Sequence, residues 1–156
     1  MGLTSNVISE LQQLIPPERV VTDPSELYVY DCDGFTIARN VPRAVVFAQS
    51  TDEVAAVVRL LAERDVQIVP RGSGTGLTGG CVAYENGVIV STARMNKVLQ
   101  IDLDNRVALV EAGVRNLALS DAVALLPGGA GYHFAPDPSS QRASSIGGNA
   151  ATNAGG

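Results

Sequence analysis

V-P-R-G-S-G-T-G-L-T-G-G, the stretch from Val69 to Gly80, is the part of the chain that decides its fold and its function. The apolar run Val66–Val69 leads into it and predicts a strand that ends in a glycine-rich loop. Glycine lets backbone N–H groups come close to an anion, and consecutive N–H groups form a concave anion site. Arg71 adds a positive charge, so the stretch predicts a phosphate-binding loop.

Two familiar glycine motifs do not fit this loop. A Walker A loop needs Lys and Ser/Thr after its second glycine, whereas Gly80 and Cys81 follow Gly79. Gly74–Gly79 has the letters G-x-G-x-x-G, but the strand-like run Val88–Val90 comes where a Rossmann fold needs a helix. A flexible surface loop is the plain alternative, although a linker would lack the arginine and the flanking apolar runs. We therefore predict phosphate binding without a Rossmann helix.

A second tract of small residues occupies positions 135–156 and reads A-P-D-P-S-S-Q-R-A-S-S-I-G-G-N-A-A-T-N-A-G-G. Such a tract either packs closely against a flat surface or offers many backbone donors. Chain termini are often disordered, and composition alone leaves that alternative open.

The two tracts together carry a family resemblance. R-G-S-G-T-G-L-T-G-G, then A-P-D-P-S-S-Q, then S-I-G-G-N-A-A-T-N-A-G-G resembles the FAD-binding domain of the vanillyl-alcohol oxidase/PCMH flavoprotein superfamily. Within that superfamily, the chain is most similar to the group of glycolate oxidase FAD subunits and D-lactate dehydrogenases. The opening of Tyr30–Val54, Y-D-C-D-G-F-T-I-A-R-N, is similar to the same group. The similarity covers nearly the whole chain.

The resemblance implies an α+β fold, namely a PCMH-type FAD-binding domain. Its first α/β lobe is expected to be complete and its second lobe only begun. We expect an N-terminal arm over residues 1–40 and the FAD-binding domain over residues 41–156, incomplete at its C-terminal end. In the family, a cap domain for the substrate follows.

The resemblance also implies which residues bind the cofactor. The glycine loop is expected to hold the FAD pyrophosphate, and the later tract is expected along the flavin and the diphosphate. A flat ring against the backbone would require residues 147 and 148 to lack side chains. Asp137 has an equal alternative as a turn carboxylate between two prolines. The expected FAD-binding residues are Arg71, Gly72, Ser73, Gly74, Thr75, Gly76, Leu77, Pro136, Asp137, Pro138, Ser140, Ser144, Gly147, Gly148, Asn149 and Asn153, and Gly156 is expected in the same lining as Asn153.

Attachment of the flavin is expected to be non-covalent. Some members of the superfamily bond the flavin to a histidine, and one such position lies inside the glycine loop, where this chain has only Ser, Thr and Gly. His133 is the single histidine and lies in no attachment motif that we recognise. A link through Cys81 is the less favoured alternative.

The resemblance implies a flavin-dependent oxidoreductase that oxidises a 2-hydroxy acid such as glycolate or D-lactate by hydride transfer to flavin N5. An iron–sulfur partner subunit, a quinone or a cytochrome would reoxidise the flavin. A flavin-binding module without turnover, or another flavin oxidase or reductase of the superfamily, remains an alternative. One histidine cannot supply a Ser-His-Asp triad, so the catalytic residues are unknown and no metal site is predicted. Substrate residues are expected beyond Gly156, and residues 1–156 alone are expected to be inactive.

Composition and charge further limit the class of protein, its partners and its location. Hydrophobic residues make up 46% of the chain and charged residues 17%, which indicates a globular protein. A net charge of −5 without a basic patch disfavours nucleic acid as a partner. No apolar run is long enough for a membrane span, and no signal peptide is recognisable. Two cysteines without metal-like spacing indicate a reducing compartment, so we expect the cytoplasm, with the inner membrane face as an alternative.

Hydrophobic periodicity predicts the elements. Ser50 and Glu53 form a capping box at the start of the clearest helix, which runs to about Arg64. The other helical predictions are 6–15, one or two turns within 24–30, 116–125 and a short stretch near 144–154. The predicted strands are a short piece at 20–22, then 44–48, 66–69 and 87–92, followed by a hairpin of 98–103 with 106–112.

Overall fold

A computed structural model describes residues 5–84 and 86–155. The chain divides into two compact units, Met1–Arg94 and Met95–Gly156. The first unit contains a mostly parallel sheet with helices, and the second contains an antiparallel hairpin with helices. The predicted α+β class is therefore confirmed.

The first unit is built on a four-stranded sheet with the order β1-β2-β4-β3. Strand β4 is parallel to both β2 and β3, while β1 is antiparallel to β2. The strands predicted at 44–48 and 66–69 and the helix between them form a β-α-β unit, with β4 inserted between its two strands. The strands are β1 (Val20–Val21), β2 (Ala44–Phe47), β3 (Ile68–Arg71) and β4 (Val88–Ser91), and the helices are α1 (Ser5–Leu14), α2 (Pro24–Leu27) and α3 (Thr51–Glu63).

Both faces of this sheet are covered. Strands β2 and β4 are buried apolar runs, which is typical of parallel strands packed on two sides. On one face, α1 contributes Val7 and Leu11 and α3 contributes Val57 and Leu61 to one cluster. On the other face, Leu27 of α2 packs in a second cluster that includes residues of β2, β3 and β4. The central strands are thereby fixed, and the loops at their carboxyl ends start from rigid positions.

Local signals at both ends of α3 explain its limits. The Ser50 hydroxyl accepts the Glu53 N–H at 3.2 Å, so the predicted N-cap is confirmed. Strand β3 begins later than predicted, because the Val66 N–H donates to the Leu61 carbonyl and still belongs to the helix end. Asp65 has a φ of 52°, which turns the chain there.

The second unit begins with the predicted hairpin, formed by β5 (Val98–Asp102) and β6 (Val107–Val110). Helix α4 (Asn116–Ala124) and the short helix α5 (Ile146–Thr152) follow. The core of this unit consists of Val114, Leu119 and Val123, with partly buried residues of the hairpin packed against it. The boundary predicted at residue 40 stays a prediction.

Candidate functional site

The glycine loop leaves the sheet at the carboxyl end of β3. Arg71 is the last residue of that strand, and Phe47 and Ser91 end β2 and β4 at the same edge. Ligands of open α/β sheets bind outside the carboxyl ends of the strands. No helix interrupts residues 72–84, so the predicted absence of a Rossmann helix after the loop is confirmed for that segment.

Two glycines of the loop have backbone conformations that other residues rarely adopt. Gly74 has a φ of +70° and Gly79 a φ of +74°. A Cβ on Gly74 would lie 2.7 Å from the guanidinium carbon of Arg71. Glycine at position 74 therefore allows both the turn and the close approach of the arginine.

The backbone of the loop presents free donors. Within residues 5–84 and 86–155, the N–H groups of Ser73–Leu77 donate to no backbone or side-chain acceptor. Gly74, Thr75 and Gly76 are only partly exposed. Half-buried backbone donors need an acceptor, and a run of them is an anion-binding arrangement.

Arg71 is held beside these donors. Its Nη1 donates to the Cys32 carbonyl at 2.8 Å, and its guanidinium carbon lies 5.7 Å from the centre of the Tyr30 ring. Tyr30 in turn contacts Phe47 edge-on, with the ring centres 6.0 Å apart. Arg71 forms no ion pair with a carboxylate of the described residues, so its charge is available to a bound anion.

A turn of the N-terminal segment packs on the loop, a relationship that sequence reasoning missed. A Cβ on Gly34 would lie 2.7 Å from the Gly76 carbonyl oxygen, and a Cβ on Gly79 would lie 3.7 Å from Ala38 Cβ. Asp33, in this turn, accepts the Phe35 N–H at 2.8 Å through Oδ1. The pair Asp33-Gly34 predicts a turn, but no sequence signal gives the loop as its partner.

Neither cysteine near the loop is an activated nucleophile. Burial raises the pKa of the Cys81 thiol, although the Arg71 charge acts in the opposite direction. A hydrogen bond with Asp31 raises the pKa of Cys32. Reactive thiols have lowered pKa values, so both groups are mainly protonated at neutral pH.

In the second unit, the buried side-chain amide of Asn116 connects two parts of the tract at positions 135–156. Asn116 Oδ1 accepts a hydrogen bond from Asn149 Nδ2 at 2.5 Å, and Asn116 Nδ2 donates to the Pro136 carbonyl at 3.3 Å. Asn116 and Asn149 are 2% and 6% exposed. Sequence reasoning missed Asn116, which was predicted only as the first residue of a helix.

The two adjacent glycines of α5 have different surroundings. A Cβ on Gly147 would lie 2.7 Å from Ala112 Cβ, and the Gly147 N–H donates to the Ala112 carbonyl at 2.9 Å. Contact with Ala112 is therefore a sufficient reason for glycine at position 147, and a flat flavin ring against the backbone is not needed to explain it. A Cβ on Gly148 would meet only the hydroxyl of the N-cap residue Ser145, at 3.1 Å.

The remaining predicted residues of this tract differ in exposure. Ser144 is 3% exposed, and its hydroxyl has no partner among the described residues. Asp137 is exposed, and its N–H donates to the Gly155 carbonyl at 2.9 Å. Asn153 ends α5 with a φ of 52°. Pro138 is buried, Pro136 and Ser140 are partly buried, His133 is exposed, and Gly156 lies outside the described residues.

The residues present fit an anionic dinucleotide. Within its described residues, the first unit offers unpaired N–H groups, a cradle that a Cβ at position 74 would fill, and an arginine without a carboxylate partner. Taken by itself, the second unit contains the buried Ser144 hydroxyl, which has no partner among the described residues. Backbone donors with a nearby cation are the usual means of binding a pyrophosphate.

Residues 5–84 and 86–155 contain neither a cluster of metal ligands nor a membrane-spanning helix. No group of three or more His, Cys, Asp or Glu side chains is placed to hold a metal ion there. None of the helices in these ranges has the length and apolar content of a membrane span.

Known proteins match the chain over nearly its whole length. Glycolate oxidase subunit GlcD of Escherichia coli K12 is 41% identical over 152 residues, which cover 97% of this chain and 30% of the relative. D-lactate dehydrogenase of Anaerostipes hadrus is 36% identical over 155 residues, which cover 99% of this chain and 31% of the relative. The structure of 4-ethylphenol oxidase from Gulosibacter chungangensis superposes with a TM-score of 0.82 at 28% identity, over 95% of this chain and 29% of that chain.

A family model described as an FAD binding domain matches residues 42–156. That match includes both the glycine loop and the later small-residue tract, and the relatives named above come from the group that the sequence motifs resemble. The resemblance to the vanillyl-alcohol oxidase/PCMH superfamily is therefore confirmed, and the chain belongs to the FAD binding domain family, with FAD as its cofactor.

Proposed function

We propose that this chain is the FAD-binding part of a flavin-dependent oxidoreductase that oxidises a 2-hydroxy acid such as glycolate or D-lactate. One observation carries the proposal: the free N–H groups of Ser73–Leu77 lie beside Arg71 at the carboxyl end of β3. The names of the two relatives support the substrate class. The chain spans 30% of the GlcD relative, so the activity of the whole protein is part of the proposal.

In this proposal, the backbone of residues 72–77 binds the pyrophosphate of FAD, and Arg71 neutralises part of its charge. The aromatic ring of Tyr30 and the Cys32 carbonyl hold the arginine in position. Bound FAD would supply the electron-accepting chemistry that protein side chains lack. The loop's own task is to bind and orient the cofactor.

The later tract is proposed as a further FAD-binding segment. The buried and unpaired Ser144 hydroxyl supports this assignment, as does the match of the FAD-binding family model to this tract. For Asp137, exposure together with the backbone bond to Gly155 is compatible with both the turn role and the cofactor role. The residues assigned to this segment are Pro136, Asp137, Pro138, Ser140, Ser144, Gly147, Gly148, Asn149 and Asn153.

We propose that FAD is bound without a covalent link. The raised pKa of Cys81 disfavours the thiolate that a cysteinyl link needs, and the loop contains no histidine. An electron-accepting iron–sulfur subunit or a quinone is the proposed partner, and the word subunit in the name of the GlcD relative is compatible with a partner chain. A cytoplasmic location stays a prediction.

The test uses the complete protein that carries this chain. We expect it to purify with yellow flavin, to release the flavin on denaturation, and to lose the flavin colour when glycolate or D-lactate is added without oxygen. Colour that stays with the denatured polypeptide would contradict non-covalent binding. Binding of FAD without bleaching by either acid would favour the alternative of a flavin-binding module without turnover.

A matched pair of glycine variants tests the loop. Gly74→Val should lose FAD, because a β-branched residue does not easily adopt a φ of +70° and would displace Arg71. Gly80→Ala should keep FAD, since its Cβ would meet only the Thr78 hydroxyl at 3.7 Å. A folded Gly74→Val protein with unchanged FAD content would show that the loop is not the pyrophosphate site.

A further inference from the structure

Asp33 has a buried carboxylate with one unused oxygen. The residue is 6% exposed, and Oδ1 accepts the Phe35 N–H at 2.8 Å. Oδ2 is buried and receives no hydrogen bond from the described residues. Burial of a carboxylate oxygen without a donor is unfavourable, so such an atom in a native protein requires an explanation.

The unused oxygen lies against the glycine loop. A Cβ on Gly76 would be 3.5 Å from Asp33 Oδ2, and Gly34 packs on the carbonyl oxygens of Thr75 and Gly76. The charges of Arg71 and Asp33 both act on the Cys81 thiol, although the two side chains form no direct ion pair in the described residues. The carboxylate therefore belongs to the group of side chains that surrounds the loop.

A donor for this oxygen is available in the proposed ligand. The pyrophosphate of FAD offers acceptors only, whereas the ribityl chain and the ribose on its two sides carry hydroxyl groups. A hydroxyl that donates to a carboxylate forms a short, charge-assisted hydrogen bond. Arg71 offsets the repulsion between the carboxylate and the pyrophosphate.

We propose that Asp33 is an FAD-binding residue whose Oδ2 accepts a hydrogen bond from a ribityl or ribose hydroxyl of the cofactor. This inference rests on the proposed function, in which the loop binds the pyrophosphate of FAD. An aspartate in this role lowers the stability of the apoprotein, because its Oδ2 is buried without a donor, and raises the affinity for FAD. A purely structural aspartate would contribute to stability and affinity in the same direction.

Asp33→Asn separates these two roles. The amide oxygen still accepts the Phe35 N–H, so the turn is kept, while the carboxylate acceptor at Oδ2 is lost. Asp31→Asn is the matched control, because it also removes a carboxylate charge from this turn. The Asp31 carboxylate pairs with Arg39 at 3.1 Å. FAD is removed from the complete protein, its dissociation constant is measured by flavin fluorescence, and the melting temperature of each apoprotein is recorded.

For Asp33→Asn we expect an FAD dissociation constant that rises roughly ten-fold or more, with an apoprotein melting temperature equal to or above that of the wild type. Asp31→Asn should leave the dissociation constant unchanged. An unchanged or tighter affinity in Asp33→Asn would overturn the assignment. A joint loss of affinity and apoprotein stability would also overturn it, in favour of a structural role.

ADP identifies which hydroxyl is involved, because it carries the pyrophosphate and a ribose but no ribityl chain. Weaker binding of both ADP and FAD by Asp33→Asn would identify the ribose, and weaker binding of FAD alone the ribityl chain. If wild-type protein binds no FAD, or Gly74→Val binds it normally, the proposed function itself fails. If those two results are as expected and Asp33→Asn binds FAD like the wild type, only the assignment of Asp33 fails.

Discussion

Arg19 and Glu53 form a two-pronged ion pair at the start of α3. Arg19 Nη1 and Nη2 donate to the two Glu53 carboxylate oxygens at 2.7 and 2.8 Å. The Arg19 side chain is 7% exposed, and the Glu53 side chain is 26% exposed. Glu53 also accepts the Gln49 N–H at 2.8 Å, so its carboxylate binds the chain before the helix rather than returning to Ser50.

Removal of the carboxylate should destabilise the protein. Glu53→Ala leaves the buried Arg19 with only the Phe47 carbonyl as an acceptor, and we expect the free energy of unfolding to fall by about 3 kcal/mol. Glu10→Ala is the control, because Glu10 forms a similar bidentate pair with the more exposed Arg64, and its loss should lower the free energy of unfolding clearly less. Urea denaturation measures both, and equal losses would contradict the expected role of burial.

The same pair predicts a pH dependence. Hydrogen bonds from Arg19 hold the pKa of Glu53 below its usual range. A lowered folded-state pKa adds stability above the unfolded pKa of about 4.3, and this contribution is lost as the pH falls through the folded pKa. The difference in unfolding free energy between wild type and Glu53→Gln should therefore shrink from about pH 7 to about pH 3. A difference that stays constant over this range would contradict the assignment.

Adjacent glycines of α5 should respond differently to alanine. Gly147→Ala places a Cβ 2.7 Å from Ala112 Cβ and 2.8 Å from its carbonyl oxygen, so α5 must shift away from Ala112. Gly148→Ala meets a single hydroxyl and gains helix propensity of up to about 1 kcal/mol. We expect a lower melting temperature for the first variant and an equal or higher one for the second. A tolerated Gly147→Ala would show that the contact with Ala112 is adaptable.

Asn116 and Asn149 should be energetically coupled. Each single change to alanine leaves a buried amide of the other residue without its partner, at a cost of about 1–3 kcal/mol. The double variant should lose less than the sum of the two, with a coupling energy between about 0.5 and 3 kcal/mol. A double-mutant cycle in urea measures this, with Asn105→Ala in the exposed hairpin turn as the control. Additive losses would show that the bond contributes nothing net.

Local signals account for what the sequence predicts well. The Ser50 cap, the apolar face of α3 and the turn between β5 and β6 depend on residues that are close in the chain, so propensity and periodicity report them. The glycine content of the loop allows positive φ angles but does not indicate which glycines adopt them, and in the structure these are Gly74 and Gly79. These features were sufficient to predict most of the elements and the position of the loop, whereas the α+β class was implied by the family resemblance.

Contacts between distant residues account for what the sequence did not reveal. Glu53 follows Arg19 by 34 residues, and Asn149 follows Asn116 by 33. The sequence around Arg19 or Asn116 does not specify the partner of that residue, because the pairing depends on how the helices and strands pack. For the same reason the turn at Asp33 was predicted only as part of an arm, although it lies on the glycine loop.

The position of β4 has a consequence for the order of assembly. β4 comes last in the chain among the strands of its sheet, yet it pairs with β2 on one side and β3 on the other. β2 and β3 are synthesised before β4 but do not pair with each other in the sheet. They are connected in the sheet only through β4, residues 88–91. The glycine loop lies in the connection from β3 to β4, so its two ends are fixed relative to each other only once these strands pair. We therefore expect the loop proposed for FAD to take its final shape after β4 has been inserted between β2 and β3.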